Sequence, residues 1–235
     1  HMVLSWAAKF PKLLNGVVAL ATSPRLSSQS LAFDIVGRNA IRQDPDYANG
    51  EYYHLDSKPD TGLAIARMLG HITYLSPIAM SEKFDATRDQ PHDIKTTFEK
   101  EFSVGSYLAY KGQQFTERFD ANSYLALSMA MDQFDLGESV EALSEAFGES
   151  RARWLVVSFT SDWLFPSFQS KQIVRGLLRT DKPVTYCDVE SNCGHDAFLL
   201  VDDVAAYGEL VRAFLRNLLG AGRPAMLDAR HENHS

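Results

Sequence analysis

Two strand-like runs near the C-terminal end of the chain each lead straight into a loop rich in reactive side chains. Trp154-Leu155-Val156-Val157-Ser158 precedes Phe159-Thr160-Ser161-Asp162-Trp163-Leu164-Phe165-Pro166, and Val184-Thr185-Tyr186-Cys187-Asp188-Val189 precedes Ser191-Asn192-Cys193-Gly194-His195-Asp196-Ala197-Phe198-Leu199. Short apolar runs of this kind are strands covered on both faces, as in parallel sheets. Between them, after Pro166, Ile173, Val174, Leu177 and Leu178 recur at helical spacing. The pattern is strand, helix, strand. An acid at the mouth of one such strand and a histidine at the mouth of the next is how a nucleophilic triad places its last two members. The first member is missing: no Gly-x-Ser-x-Gly occurs among the 235 residues.

A third buried strand is expected at Val17-Val18-Ala19-Leu20-Ala21, after a helix end at Ser5 to Phe10, Pro11 and an Asn15-Gly16 turn. From Ser27 to about Ser150 helical periodicity takes over. Leu31, Ile35, Val36, Ala40 and Ile41 form one stripe, and Ile65, Ala66, Leu69, Ile72 and Leu75 another. The stretches 42–58 and 87–93 read as loops, and the acidic run Asp132 to Glu149 as a solvated helix or linker. A last helix spans Val204 to Leu219, stopped by Gly220-Ala221-Gly222. The expected organisation is a partial α/β core (1–26), a helical lid insertion (27–150), the C-terminal part of the core (151–220) and a polar tail (221–235). The three strands should pair in sequence order, leaving the outer edge of the first exposed.

The net charge of -7 argues against a nucleic-acid binder, which would show a basic patch. No apolar run approaches the ~20 residues of a membrane-spanning helix, and no secretory signal is visible. Cys187 and Cys193, the only two cysteines, are expected as free thiols of a cytoplasmic protein. They make a poor metal site, so no metal is implied. His1-Met2 looks like a leader scar, and His1 is expected to carry no function.

Several motifs carry a family likeness. Ala21-Thr22-Ser23-Pro24-Arg25-Leu26-Ser27, Gly62 to Arg67 with Gly70 to Ser76, Arg118 to Tyr124, and Gly194 to Leu199 resemble the homoserine O-acyltransferases over about residues 3 to 219. The resemblance implies an α/β-hydrolase fold with a parallel sheet and an inserted helical lid, and a homodimer formed through that lid. It implies acyl transfer from an acyl-CoA co-substrate to the hydroxyl of L-homoserine in methionine biosynthesis, through an acyl-serine, with no bound cofactor. Acetyl-CoA is the expected donor, with succinyl-CoA the alternative. Family members carry the serine just before the segment matching Met2-Val3-Leu4. The chain is therefore expected to lack the nucleophile elbow and its oxyanion donors, and to be inactive alone.

Asp162 is expected to orient His195, and His195 to act as general base. An Asp in this position also suits a helix N-cap. Gly194 would let the backbone turn sharply before His195. Arg67 and Tyr74 are seven positions apart and share a helix face, within about 20°. An arginine fork suits an α-carboxylate and a tyrosine hydroxyl can bond beside it. Asp196 could hold an α-ammonium group. The other histidines, His54, His71 and His92, are expected to be structural or exposed. Cys193 is a poor substitute nucleophile, because it is not on a strand-to-helix turn. Two rivals stand beside acyl transfer. A plain esterase would have no use for the Arg67, Tyr74 and Asp196 set. A non-catalytic binding or assembly module would have no need of the serine.

Overall fold

The central strand of the sheet is the one with the most continuous apolar sequence. In the computed structural model, which describes residues 1–85 and 102–221, strand β2 (Arg153–Phe159) buries every residue after its first. It lies between β1 (Gly16–Leu20) and β3 (Val184–Val189), parallel to both, in the order β1-β2-β3. The register pairs Gly16 with Arg153 and Leu20 with Val157 on one side, Trp154 with Val184 and Phe159 with Val189 on the other. The three strands and their order match the sequence expectation to within a residue or two.

Side chains of β2 alternate between two cores, as a period of two requires. Trp154 and Val156 join Leu4, Ala7, Leu143, Phe147, Ile173 and Leu177 on one face. Those residues come from helices α1 (Met2–Lys9), α7 (Val140–Phe147) and α8 (Ser167–Arg179). Leu155, Val157 and Phe159 join Val189, Ala197 and Tyr207 on the other face, under α9 (Val201–Ala221). Helix α7 falls inside the acidic run, yet Leu143 and Phe147 are fully buried. Its acids Glu141 and Glu145 remain exposed. Fully burying each such apolar side chain stabilises the fold by roughly 1.5–3 kcal/mol.

Between β1 and β2 lie helices α2 (Ser28–Arg42), α3 (Asp60–Tyr74), α4 (Pro77–Phe84), α5 (Ser103–Thr116) and α6 (Ala121–Asp132). The starts of α2, α4 and α6 are capped by side chains that satisfy otherwise unpaired N–H groups: Ser27 accepts from Ser30, Ser76 from Ala79, and Asp120 from Ser123. Helix α3 packs against α2 and α5 around Ile41, Leu63, Ala66, Phe115 and Leu125. The α2–α3 approach needs Gly62, where a Cβ would fall 2.4 Å from the Ala40 carbonyl oxygen.

The expected apolar stripes are only partly inward. Ile41 and Ala66 are buried, but Ile35 and Val36 on α2 are about half exposed, and Ile65 and Ile72 on α3 are exposed as well. The inward residues of α2 include Ser30, Gly37 and Arg38. That face places Ser30 and Asp34 in a cavity wall and carries the Arg38–Asp132 ion pair, so counting apolar residues mislocates it. The expected loop 42–58 contains two 3₁₀ turns, Pro45–Gly50 and Tyr52–His54. The expected loop 87–93, with His92, and the polar tail beyond 221 lie outside the described residues. Helix α9 runs to Ala221, one residue past Gly220.

Candidate active site

The loops after β2 and β3 meet above the sheet. His195 Nδ1 lies 2.8 Å from Asp162 Oδ2. The other carboxylate oxygen, Oδ1, accepts from the backbone N–H of Leu164 (3.0 Å) and Phe165 (2.8 Å). Oδ1 thereby closes a turn of the loop, whereas the N-cap alternative for Asp162 is not taken: the N-cap of α8 is Pro166, with no side-chain bond. The Asp162 side chain is wholly buried and that of His195 is 13% exposed. With Oδ2 accepting from Nδ1–H, the free nitrogen is Nε2. Among the described residues the His195 side chain forms no other hydrogen bond. Phe165 and Phe198 pack edge-on against the ring, with centroids 5.1 and 5.2 Å away.

The turn that presents His195 is tight. Gly194 has φ +77, and a Cβ there would stand 2.5 Å from the Ser76 nitrogen and 2.6 Å from the Tyr74 oxygen. The α3–α4 corner therefore presses on the histidine loop. It is also bonded to both loops: Trp163 Nε1 donates to the Leu75 carbonyl at 2.9 Å, and Ser76 Oγ donates to the Asn192 carbonyl.

That corner brings α3 over the pair. A cavity of about 540 Å³ is lined by His195, Asp196, Arg67, Tyr74 and Asp34, among others. All five sequence-derived site residues are together: Asp162 behind His195, and Arg67, Tyr74 and Asp196 in the cavity wall. The Arg67 guanidinium lies 5.6 Å from the Tyr74 ring centre and 4.7 Å from that of Phe115. Among the described residues it forms no ion pair. Burial pushes the Tyr74 phenol up, Arg67 opposes this, and Asp196 and Asp34 add to it. The hydroxyl stays protonated and able to donate. Burial also raises the Asp196 carboxyl, against the pull of His195, Arg67 and Lys83.

Three features were not foreseen. His1 is in the cavity wall, with its terminal ammonium donating to Thr22 Oγ1 at 2.9 Å and its Nε2 3.0 Å from Ser23 Oγ. His71 is structural as expected, yet it also lines the cavity. Its Nδ1 is 3.2 Å from the Tyr107 hydroxyl, and burial with the charges of Arg67, Lys111 and Lys83 pushes it down to about 4. Asp34 has no counterpart among the sequence candidates. It shares the inward face of α2 with Arg38, which forms a buried ion pair with Asp132. Burial, then the hydrogen bond and charge of Asp132, raise Asp34 to about 7 against the pull of Arg38. A spacing signal existed, since Asp34 and Arg38 are four apart, but Asp132 is remote in sequence.

Asp34 yields a prediction whose sign is unusual for a carboxylate. Its folded value lies above the ordinary 3.8. The unfolded chain therefore loses this proton first, and stability falls as pH rises from about 4 through 7. Asp34→Asn removes that slope. At pH 8 the variant should be the more stable by about 1–2 kcal/mol, after discounting for partial solvent access. The gap should close toward pH 4. Melting curves from pH 4 to 8.5 check this, and parallel curves for both proteins would refute it.

Cys187 and Cys193 are unbridged. Burial, followed by a hydrogen bond from the thiol to Asp203, raises the Cys193 thiol, with Ser191 opposing. A thiol held protonated is a weak nucleophile. Among the described residues no group of three His, Cys, Asp or Glu side chains could hold a metal, and no single helix is long and apolar enough to cross a membrane.

A family model for the alpha/beta hydrolase fold matches residues 1–201. The "Bifunctional methionine biosynthesis protein MetXA/MetW" of Rhodopirellula baltica is 57% identical over 217 residues, which are 92% of this chain and 35% of that protein. A homoserine O-succinyltransferase of Ralstonia nicotianae is 45% identical over 92% of this chain and 53% of its own length. A homoserine O-acetyltransferase of Bradyrhizobium diazoefficiens is 45% identical over 97% and 56%. The chain thus spans from a third to about half of the length of these relatives. Among solved structures, homoserine O-acetyltransferase from Bacillus anthracis superposes with a TM-score of 0.76 at 23% identity, over 91% of this chain and 56% of that one. Esterase E22 gives 0.77 at 20% identity, over 91% and 57%. Backbone likeness at that identity shows the fold, and it does not separate transfer from hydrolysis.

Proposed function

The chain belongs to the α/β-hydrolase fold family, and on that premise we propose that it carries the acid–base pair and amino-acid pocket of a homoserine O-acyltransferase. The observation that carries this reading is the placement of Arg67 and Tyr74 in the same cavity as His195. An arginine with no ion pair among the described residues, beside a protonated phenol, suits the α-carboxylate of an amino acid. A simple ester hydrolase has no need of that clamp. Asp196 takes the α-ammonium group.

The chemistry runs in two acyl transfers. In the first, His195 Nε2 takes the proton of a serine hydroxyl as the serine oxygen attacks the thioester carbonyl. The carbon–sulfur bond breaks, and His195 returns the proton to the departing thiol. In the second, His195 takes the homoserine hydroxyl proton as that oxygen attacks the acyl-serine, and then protonates the leaving serine. Asp162 keeps the imidazole in the Nδ1–H tautomer and stabilises its charged form in both steps. Acetyl-CoA is the first-choice donor. Succinyl-CoA is kept as the alternative because relatives named for each donor match this chain at 45% identity.

No residue of this chain stands in a Gly-x-Ser-x-Gly elbow, so the chain alone is proposed to be inactive. Removing the nucleophile of a triad costs on the order of 10⁶ in rate. The test is chromatographic measurement of homoserine-dependent CoA release from acetyl-CoA and succinyl-CoA, with calorimetry of homoserine binding alongside. Homoserine should bind and no CoA should be released. Release above background would overturn the missing-nucleophile reading, and failure to bind homoserine would overturn the pocket reading.

Of the segment 27–150, helices α2 to α6 are read as a lid and as the dimer contact of a cytoplasmic enzyme; α7 packs with β2 and α8 and belongs to the core. Exposed Ile35, Val36, Ile65 and Ile72 support that assignment, since such residues on adjacent packed helices are what an interface covers. Light scattering should give a homodimer. Val36→Asp should shift it to monomer without lowering the melting temperature of the monomer.

A further inference from the structure

Beyond the cavity, two lysines from different helices converge on one aromatic ring, beside the exposed acids Glu82 and Asp85. Lys83, near the end of α4, has its Nζ 4.0 Å from the centre of the Tyr107 ring on α5. Lys111, one turn further along α5, is 5.9 Å from the same ring and 5.8 Å from that of Tyr110. Phe84 packs on Tyr107 at 5.1 Å. Tyr107 in turn reaches His71 in the cavity wall. Among the described residues neither lysine forms an ion pair, although the whole chain has a net charge of -7. Both lysines, with Arg67, press on His71, and Lys83 also acts on Asp196. The positive field of this patch therefore reaches the cavity.

Lysines that form no ion pair among the described residues, interleaved with aromatic faces, make a surface for a group that is both anionic and planar. Ammonium groups attract phosphate oxygens, and rings offer a stacking face for a base. A buried acyl carbon at His195 and a charged nucleotide outside it are the two ends of a coenzyme A thioester.

We propose that Lys83 and Lys111, with Tyr107 and Tyr110 beside them, bind the phosphate-bearing nucleotide end of the acyl donor. The inference rests on the acyl-transfer reading and adds to it the place where the donor is held. The lysines act on donor affinity and take no part in proton transfer.

Calorimetry on the whole chain tests this without requiring turnover. The ligands are coenzyme A, pantetheine, acetylpantetheine and succinylpantetheine, each at two salt concentrations. Lys83→Gln with Lys111→Gln should weaken coenzyme A binding about tenfold and flatten its salt dependence. Pantetheine and both acylpantetheines should bind the variant as they bind the parent. Selective loss of succinylpantetheine would overturn the proposal, because the cations would then read the distal carboxylate of the acyl group. Unchanged coenzyme A binding would overturn it as well. Homoserine binding separates the two levels of inference. If homoserine binds and the lysines do not matter to coenzyme A, only the donor site fails. If homoserine does not bind either, the acyl-transfer reading fails with it.

Discussion

Replacing Gly194 by alanine should lower the melting temperature of this chain by about 10 °C, the largest stability loss expected of any single methyl group added here. Two costs combine. The backbone at Gly194 is left-handed, with φ +77, which costs a non-glycine residue about 1–3 kcal/mol. The new Cβ would also stand 2.5 to 2.8 Å from backbone atoms of Tyr74, Leu75 and Ser76. Backbone cannot rotate away as a side chain can, so overpacking adds roughly another 1–3 kcal/mol. Any relief requires the histidine loop to lift from the α3–α4 corner. Lifting would break the 2.8 Å contact between His195 and Asp162. Circular dichroism melts of parent and variant decide the matter. A variant melting within a degree or two of the parent would mean that the corner and the loop are not in contact.

The second large effect concerns Arg67. Arg67→Met should weaken homoserine binding by roughly 30- to 5000-fold, corresponding to about 2–5 kcal/mol for losing one partner of a desolvated charge pair. Arg67→Lys keeps the charge but loses the planar fork, so it should recover only part of the affinity. Tyr74→Phe removes one hydrogen bond and should cost about tenfold. Titration calorimetry with the three variants gives the order Met weakest, Lys intermediate, Phe nearest the parent. Homoserine bound equally well by Arg67→Met would remove Arg67 from the pocket. Homoserine bound better by Arg67→Lys than by the parent would mean that a point charge, rather than a fork, is what the ligand meets.

What could be read from the chain alone, and what could not, divides along physical lines. The strands were legible because each is a nearly unbroken apolar run, and β2 remains apolar on both faces because both are covered. Asp162 and His195 were legible because strand ends fix where loops emerge. The helical repeat puts Arg67 and Tyr74 on one face, but it was the family resemblance that singled them out, since by itself Arg67 reads as a solvated helix charge. The α2 stripe was not legible, because Ser30, Gly37 and Arg38 turn inward in place of Ile35 and Val36. A face that lines a cavity and carries an ion pair obeys satisfaction of hydrogen bonds and charges, which hydrophobic periodicity does not register. Asp34 escaped notice for the same reason. Its raised proton affinity comes first from burial and then from Asp132, a neighbour brought to it only by the packing of α6 on α2.

The bonded corner between α3 and α4 has a mechanical consequence. Trp163, Ser76 and the close seat of Gly194 fasten α3 and α4 to the loops after β2 and β3. A second fastening lies on α2, where Ser30 Oγ donates to the Leu164 carbonyl at 3.2 Å. A layer held at one point could turn about it, but two separated points remove that freedom. Tyr74 and His195, whose rings are 6.0 Å apart, lie beside the first fastening, so the distance between them across the cavity is set by the fold.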